Sequence, residues 1–259
     1  MVGFASKAVQ KMMRQYGLFD SIGENPSVTV VIPTFNEAGY IGSAVESALN
    51  QGYKGGVDVL VIDDGSTDGT GDIAGKAGAK VYKTKKTGVS AARNYGMHRA
   101  NSDMVIFMDA DSEMPRSAIE RAVDSARRGY VAGSFSKSSG DSMDDMFNGY
   151  TDAVNSILTP LRNIFANLPP SGSGTLMYVR RDVVVGNGVR FNEAQNSRED
   201  SDFLSDMSRY GWVDFITDVA AKTSPRRSEG RNVMGIAAKK LTSYLNPCGE
   251  YGNVRRKAA

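Results

Sequence analysis

Two carboxylates stand one residue apart at the end of an apolar run in "VIFMDADSEMP", residues 105 to 115. The run is typical of a buried strand, and Asp109 and Asp111 follow it directly. Because an unpaired buried charge is costly, these residues indicate either an acidic surface turn, which Asp favours, or a site for a positively charged partner. Carboxylate oxygens suit Mg²⁺ or Mn²⁺. The remainder of the chain must decide between the two interpretations.

Other metal-binding side chains are scarce in this sequence of 259 residues. Cys248 is the one cysteine and His98 the one histidine. An internal disulfide, a cysteine-rich metal site and zinc catalysis by several histidines are therefore excluded. His98 is assigned no role. The net charge of +2 is too small to indicate nucleic acid as a partner.

Apolar periodicity predicts alternating strands and helices from residue 28 onward. Strands are expected at "VTVVIP", 57–63, 79–84 and "MVIFMD", with helices over 38–50, 70–77 and "SAARNYGMHRA". This order predicts an α/β fold, a doubly wound and mostly parallel sheet with helices on both faces. In such sheets the ligand crevice lies at the carboxyl ends of the strands. The polar residues expected there are Thr34, Asn36, Glu37, Asp63, Asp64, Asp109 and Asp111.

The second half of the sequence is less regular. A Ser/Gly/Asp-rich loop is expected at 134–145, a helix interrupted near Pro160 at 146–168, and another helix at "REDSDFLSDMSRYGW". Residues 4–19 predict a helix that either packs on the main body or lies on an anionic membrane surface. We predict a helical extension (1–26), one catalytic domain (27–225, with halves 27–133 and 134–225) and a basic tail (226–259).

Five segments that contain polar residues after predicted strands or at predicted helix starts occur in this order: "VVIPTFNEAGYI", "VLVIDDGSTDGT", "GVSAARNYGM", "VIFMDADSEMP" and "REDSDF". Together they resemble family 2 glycosyltransferases, the nucleotide-sugar-dependent enzymes of the GT-A fold. The resemblance covers most of residues 28 to 212. It implies a nucleotide-binding half followed by an acceptor-binding half, a divalent cation (Mn²⁺ or Mg²⁺) as cofactor, and an inverting, metal-dependent transfer of sugar.

The resemblance implies a nucleotide site built from several of these segments. Pro33 ends the first strand, Phe35 lies against the base and Glu37 accepts from a ribose hydroxyl, although a strand end with a helix cap supplied by Asn36 would look the same. Asp64 would accept from a ring N–H of uracil or guanine. The remaining nucleotide-sugar residues implied are Thr34, Arg93, Asp109, Ala110 and Asp111; Arg93 could equally be a surface arginine.

The "DAD" segment matches the D-x-D element of the family. Asp111 is expected to bind the metal. Asp109 is expected to lie near the ribose or a metal-bound water and to be a second metal residue, and Glu113 is expected to be a further metal ligand. Ala110 would keep the backbone clear for the sugar. This resemblance favours the second interpretation of the two carboxylates over an acidic turn.

The acceptor side is implied by the segments "SRED" and "SGSGT". Asp200 is expected to be the catalytic base, with Glu199 or Asp202 as alternates and an ordinary helix cap as the competing interpretation. Ser173 and Gly174 would leave room for a sugar ring. Arg226 and Arg227 would clamp the diphosphate from a lid, or else belong to a solvated basic segment.

The donor favoured is a UDP-sugar, with a GDP-sugar as second choice. No Q-x-x-R-W follows the acidic pair, which favours transfer of one sugar at a time to a glycan, a polyprenyl phosphate or a protein. A cytoplasmic protein with peripheral membrane contact is expected. Two alternatives are a sugar-phosphate nucleotidyltransferase, which needs a Gly-rich loop where "PTFNE" stands, and a catalytically inactive sugar-nucleotide-binding module.

Overall fold

The computed structural model describes residues 22–141, 145–146, 148–153, 155, 174–195 and 198–224. Within them the strands are β1 (Val28–Thr34), β2 (Val57–Asp63), β3 (Lys80–Lys83), β4 (Met104–Met108), β5 (Ser112–Glu113), β6 (Tyr130–Ser138), β7 (Leu176–Arg180) and β8 (Trp212–Thr223). The helices with assigned bounds are α1 (Ile41–Leu49), α2 (Thr70–Lys76), α3 (Val89–Arg99), α4 (Ala118–Arg127), α5 (Arg181–Asn187) and α6 (Glu199–Met207).

All these strands form one mixed sheet in the order β3-β2-β1-β4-β7-β6-β8-β5. Strands β1 to β4 are parallel, β7 is antiparallel to both β4 and β6, β8 is parallel to β6, and β5 is antiparallel to β8. The predicted α/β fold with a mostly parallel, mixed sheet is therefore confirmed. Among the described helices, none is long and apolar enough to cross a membrane.

The central strands are buried on both faces, which explains their continuous apolar sequences. Every residue of β1 and of β4 is buried. Val30 and Ile32 belong to a core cluster that includes residues of α1 and α4, whereas Val31 and Phe107 belong to a second cluster with residues of α3 and α6. A strand covered on both sides needs apolar residues at successive positions rather than at alternate ones.

Helix α3 lies unusually close to the sheet because of Gly96. A Cβ at this position would clash with Val31 and would lie 3.2 Å from Cγ1 of Ile62. Arg93 lies three residues earlier and therefore on the same face of the helix. The close approach of α3 thus brings a buried arginine to the carboxyl edge of the sheet.

The second half contains more strand than its sequence predicted. The loop expected at 134–145 was wrong for Ser134–Ser138, because these residues belong to β6 and pair with β8, and Ser134 also with β7. The buried Phe135, which packs on Tyr178, anchors the segment. Pairing with β8, and at Ser134 also with β7, supplies what the small polar residues lack in intrinsic preference. Strands β5 and β8 were not predicted, and β4 ends at Met108 rather than at Asp109.

Several predicted segments lie outside the described residues: the N-terminal helix at 4–19, the helix break at Pro160 and the basic tail from 226. Their structures stay predictions. The division of the chain into an extension, two halves and a tail also stays a prediction.

Candidate active site

The carboxyl ends of β1, β2 and β4 meet at one edge of the sheet, as predicted. The backbone N–H of Asp64 donates to the carbonyl of Thr34 (2.8 Å), which ties the ends of β1 and β2 together. The N–H of Asp109 donates to the carbonyl of Thr175 (3.1 Å). Because β7 runs antiparallel to β4, its first residues lie beside the last residues of β4. The "DAD" turn and Thr175, which precedes β7, are neighbours for this reason.

The turn after β1 presents the predicted base platform to solvent. Asn36 adopts a left-handed backbone (φ 54°), and its side-chain oxygen accepts from the N–H of Thr67 (2.9 Å). Phe35 is 38% exposed, with the ammonium of Lys86 4.5 Å from the centre of its ring. The hydroxyl oxygen of Thr34 is buried and finds no hydrogen-bond partner within the described residues. An exposed ring beside an unsatisfied hydroxyl is suited to a stacked, polar ligand.

Asp64 is buried and surrounded by hydrogen-bond donors of its own chain. Its Oδ1 accepts from the hydroxyl of Thr84 (2.7 Å) and from the N–H of Thr87 (2.8 Å), and its Oδ2 accepts from the N–H of Gly88 (2.7 Å). Burial raises the pKa of Asp64, but these hydrogen bonds outweigh burial and hold the pKa below its ordinary value. Asp64 thereby secures residues 84–88 and the start of α3. Its role in reading a base stays a prediction.

Asp63 also serves the turn after β2. Its Oδ1 accepts from the N–H of Ser66 (2.9 Å), and the hydroxyl of Ser66 accepts from the N–H of Asn36 (2.9 Å). The backbone N–H of Glu37 donates to the hydroxyl of Thr70 (2.8 Å). The turns that follow β1 and β2 are therefore held to each other by hydrogen bonds.

The "DAD" turn lies against the end of β8. Asp111 and Ala110 are buried, and the carbonyl of Asp111 accepts from the N–H of Ser224 (3.0 Å). Strand β5 pairs Glu113 with Lys222, and its carboxylate lies 3.4 Å from that ammonium. The described residues contain no group of three His, Cys, Asp or Glu side chains arranged to hold a metal. Glu113 belongs to an exposed ion pair, and its role as a metal ligand stays a prediction.

Two carboxylates are nevertheless a suitable donor set for the expected ion. Mg²⁺ is usually bound by one or two carboxylates together with phosphate oxygens of the substrate. Asp109 and Asp111 provide such a pair at a strand end, and Asp109 is also paired with Arg93. The residues present thus fit a divalent cation that arrives with a phosphorylated ligand.

Arg93 is the centre of a cluster of carboxylates. It is 3% exposed, and its Nη2 lies 3.0 Å from Oδ1 of Asp109. Its Nη1 lies 3.2 Å from Oε1 of Glu199 and 3.7 Å from Oδ1 of Asp200. One guanidinium therefore connects the turn after β4 with the start of α6. Arg93 reaches the predicted nucleotide site through Asp109 and is not a surface arginine.

Gly174 approaches this cluster through its backbone. Its N–H donates to Oδ2 of Asp200 (2.5 Å). A Cβ at this position would clash with that oxygen and would lie 2.9 Å from Nη2 of Arg93. A small residue was expected here to leave room for a sugar, but the contact seen in the structure is with Asp200.

The two adjacent acidic residues of α6 differ in their surroundings. Burial, the charge of Asp200 and a hydrogen bond with it raise the pKa of Glu199 above its ordinary value, although Arg93 opposes this. Asp200 is the more exposed of the two, with 21% of its side chain accessible against 14% for Glu199. The alternate Asp202 accepts from Nε2 of Gln195 (2.8 Å). Asp200 therefore combines access with a fixed orientation.

Sequence reasoning missed the residues that support these groups. Thr84 and Thr87 follow β3 at the same sheet edge, and the Thr-rich "TKKTG" after a predicted strand was the signal that could have found them. Phe191 lies beneath the guanidinium of Arg93, 5.3 Å from its ring centre to the guanidinium carbon. No local pattern marks Phe191. The predicted residues Ser173, Arg226 and Arg227 lie outside the described residues.

A family model matches the part of the chain that contains the turns after β1, β2 and β4. The family model described as Glycosyl transferase family 2 matches residues 29–186. The match spans more than half of the chain and includes the turns after β1, β2 and β4. The chain belongs to glycosyl transferase family 2.

Individual relatives and solved structures are similar over parts of their length. The undecaprenyl-phosphate 4-deoxy-4-formamido-L-arabinose transferase of Aeromonas hydrophila is 38% identical over 127 residues, which cover 44% of this chain and 38% of that protein. The matched part is thus less than two fifths of that relative's length.

Two solved structures share the fold. The Pyrobaculum calidifontis mannosyltransferase PcManGT, in complex with GDP-Man and Mn²⁺, has a TM-score of 0.62 at 21% identity, covering 85% of this chain and 67% of that one. The glucosyl-3-phosphoglycerate synthase of Mycobacterium tuberculosis, with Mn²⁺, UDP and glucosyl-3-phosphoglycerate, has a TM-score of 0.58 at 20% identity, covering 86% and 79%. At these identities the likeness establishes the GT-A fold alone.

Proposed function

We propose that this chain is an inverting, non-processive glycosyltransferase that moves one sugar from a nucleoside diphosphate-sugar to an acceptor. The observation that carries the proposal is the convergence of the "DAD" turn and the acidic start of α6 on one buried guanidinium, that of Arg93. A donor-binding turn and a candidate base are thereby held in one crevice. The intact carboxylates at both places also argue against an inactive binding module.

The donor end is assigned to residues at the ends of β1, β2 and β4. Phe35 would stack on the base and Glu37 would accept from the ribose, while Asp109 and Asp111 would hold Mn²⁺ or Mg²⁺. When bound, the metal stabilises the negative charge that develops on the departing diphosphate. The likeness to structures that contain UDP or GDP-Man with Mn²⁺ supports such a donor, with UDP-sugar as our first choice.

Asp200 is proposed as the general base. With a glycan or protein acceptor, the hydroxyl gives its proton to this carboxylate while its oxygen bonds to the anomeric carbon; a phosphate acceptor would attack through an oxygen that is already ionised. The bond from that carbon to the diphosphate breaks, and its electron pair leaves with the phosphate oxygen, so the configuration inverts. The N–H of Gly174 holds Oδ2 of Asp200 (2.5 Å), which supports a fixed orientation toward the acceptor.

The acceptor is proposed to be a glycan, a protein or a lipid-linked phosphate. The undecaprenyl-phosphate in the name of one relative favours the lipid-linked class. We also propose a cytoplasmic protein in peripheral contact with the membrane through residues 4–19, whose lysines alternate with apolar residues. Binding to anionic liposomes by the intact chain, reduced on deletion of residues 1–20, is the expected result; no binding by the intact chain would refute the membrane contact.

Calorimetric titration tests the donor assignment. UDP, GDP and CMP are titrated with and without Mn²⁺ into the wild type, Asp111→Ala and the control Asp58→Ala, which alters an exposed residue of β2. We expect metal-dependent binding of one diphosphate, lost in Asp111→Ala and retained in Asp58→Ala. Absence of binding by all three nucleotides to the wild type would refute the proposal.

A further inference from the structure

Three carboxylates depend on one guanidinium at the centre of the site. Asp109 belongs to the turn after β4, and Glu199 and Asp200 open α6, yet all three lie within 3.7 Å of Arg93. If all are ionised, the cluster carries more negative than positive charge in a buried setting. Buried charges are tolerated only when they are paired. Both ends of the site must therefore orient toward the same cation.

We propose that Arg93 is a positioning residue that couples the donor end of the active site to the acceptor end. Its Nη2 holds Asp109, and its Nη1 holds Glu199 and lies near Asp200. A planar guanidinium presents these nitrogens in a rigid fork, which a lysine ammonium cannot reproduce. This inference rests on the proposed glycosyl transfer, because it assigns Asp109 to the donor and Asp200 to the base.

The guanidinium is itself fixed from below. It lies over Phe191, whose ring stacks on that of Phe203 in α6 at 4.0 Å and meets Phe107 of β4 edge-on at 5.1 Å. Asn94 exchanges two hydrogen bonds of 2.9 Å with the backbone of Phe191. Of two consecutive residues of α3, Arg93 carries the guanidinium and Asn94 fixes the backbone of Phe191, whose ring lies beneath it. Such support is expected of a group whose orientation matters.

Gly174 offers an independent way to disturb the same arrangement. Its Cβ, if present, would clash with Asp200 and crowd Nη2 of Arg93. Gly174→Ala therefore moves the cluster without removing any charge. Gly186→Ala is the matched control, because a Cβ at Gly186 of α5 would meet nothing within 4 Å.

The test is a double-mutant cycle on donor turnover. The probes are UDP-glucose, UDP-N-acetylglucosamine and GDP-mannose with Mn²⁺, with release of the diphosphate to water measured for Arg93→Lys, Asp200→Asn and the double variant. We expect Arg93→Lys and Gly174→Ala each to lower kcat by about 10²-fold, the cost of a misplaced group, with KM changed less than about threefold. In the Asp200→Asn background, Arg93→Lys should lower kcat little further.

Arg180→Lys is the matched control for loss of a buried guanidinium, because Arg180 is also buried and pairs with Asp182. It should leave kcat unchanged in both backgrounds. An equal loss of kcat from Arg93→Lys with and without Asp200 would overturn the inference, as would a change in KM alone.

A stability cycle separates this inference from the proposed function. Urea unfolding of Arg93→Lys, Asp200→Asn and the double variant should show non-additive losses, because the residues interact. If the wild type turned over no donor and bound no diphosphate, the proposed function would fail. In that case the urea data would still decide the coupling. Additive losses in the free energy of unfolding would overturn it, and non-additive losses would support the linkage of Arg93 to Asp200.

Discussion

Asp64, which is buried, and Glu199, which is half-buried, are two carboxylates of the same crevice with opposite surroundings. Asp64 accepts hydrogen bonds from hydroxyl and amide groups of residues 84–88, and its pKa lies below its ordinary value. Glu199 lies beside Asp200, and burial together with that neighbouring charge raises its pKa. Neutral hydrogen-bond donors stabilise an ionised carboxylate and lower its pKa. A neighbouring negative charge favours the protonated form of a carboxylate and raises its pKa. The first setting suits a structural anchor, and the second belongs to the acidic pair that includes the proposed base, Asp200.

The two surroundings also differ in how they are assembled. The donors to Asp64 come from the next strand and turn along the chain, 20 to 24 residues away. The Arg93 cluster joins α3 to α6 across 106 residues. The anchor of Asp64 is therefore built locally among the parallel strands, while the Arg93 cluster exists only when α3 and α6 are both in place. The following predictions test this contrast.

The largest effect is expected at the acceptor end. Asp200→Asn should lower kcat by about 10²–10⁴-fold, the range for loss of a general base, with the affinity for UDP and Mn²⁺ retained. Steady-state kinetics and calorimetry on the same preparations measure both. Asp202→Asn is the control and should have little effect. A larger loss of kcat in Glu199→Gln than in Asp200→Asn would reassign the base to Glu199.

Asp64→Asn is expected to act mainly on stability. The amide keeps one acceptor but replaces the other with an NH₂ group facing the amides of Thr87 and Gly88. We expect the free energy of unfolding in urea to fall by about 1–3 kcal/mol, the cost of leaving buried donors unsatisfied. Asp58→Asn, on the exposed part of β2, should change it by no more than about 1 kcal/mol. Equal stability of Asp64→Asn and the wild type would contradict the anchoring role.

The two carboxylates should give opposite pH dependences of stability. The pKa of Asp64 is lowered from 3.8 on folding, so its contribution is present above pH 3.8 and is lost as the pH falls toward the lowered value. The pKa of Glu199 is raised from 4.5, so folding favours its neutral form, and stability is lost as the pH rises from 4.5 through the raised value. Urea midpoints measured against pH should show the second loss disappear in Glu199→Gln.

The smallest effect is expected at Glu113. Glu113→Gln should leave the affinity for Mn²⁺ in the presence of UDP within about twofold, because this carboxylate belongs to an exposed ion pair with Lys222. Asp111→Ala supplies the contrasting loss in the same titration. A tenfold loss of Mn²⁺ affinity in Glu113→Gln would instead support Glu113 as a metal ligand.

The parallel half of the fold could be predicted because its signals are local. Continuous apolar strands such as Val28–Thr34, separated by helices and polar turns, can form only a sheet covered on both faces. The second half could not be predicted in the same way. The Ser-rich end of β6 and the two-residue strand β5 are extended because of their partners in β7 and β8, and β-strand preference depends strongly on such neighbours.

The amino-acid sequence alone predicts the α/β fold and the family, and it points to residues that would suit a sugar transfer: the pair Asp109 and Asp111 after β4, Phe35 after β1 and the acidic pair opening α6. The fold and the family are confirmed, and the roles of these residues stay predictions. Only the packed chain decides how these residues share their partners. Asp109 and Glu199 meet on Arg93, 16 and 106 residues away from it, and Glu113 meets Lys222 across 109 residues. Such contacts depend on strand register and on the approach of α3 to the sheet, and residue types alone do not encode either distance.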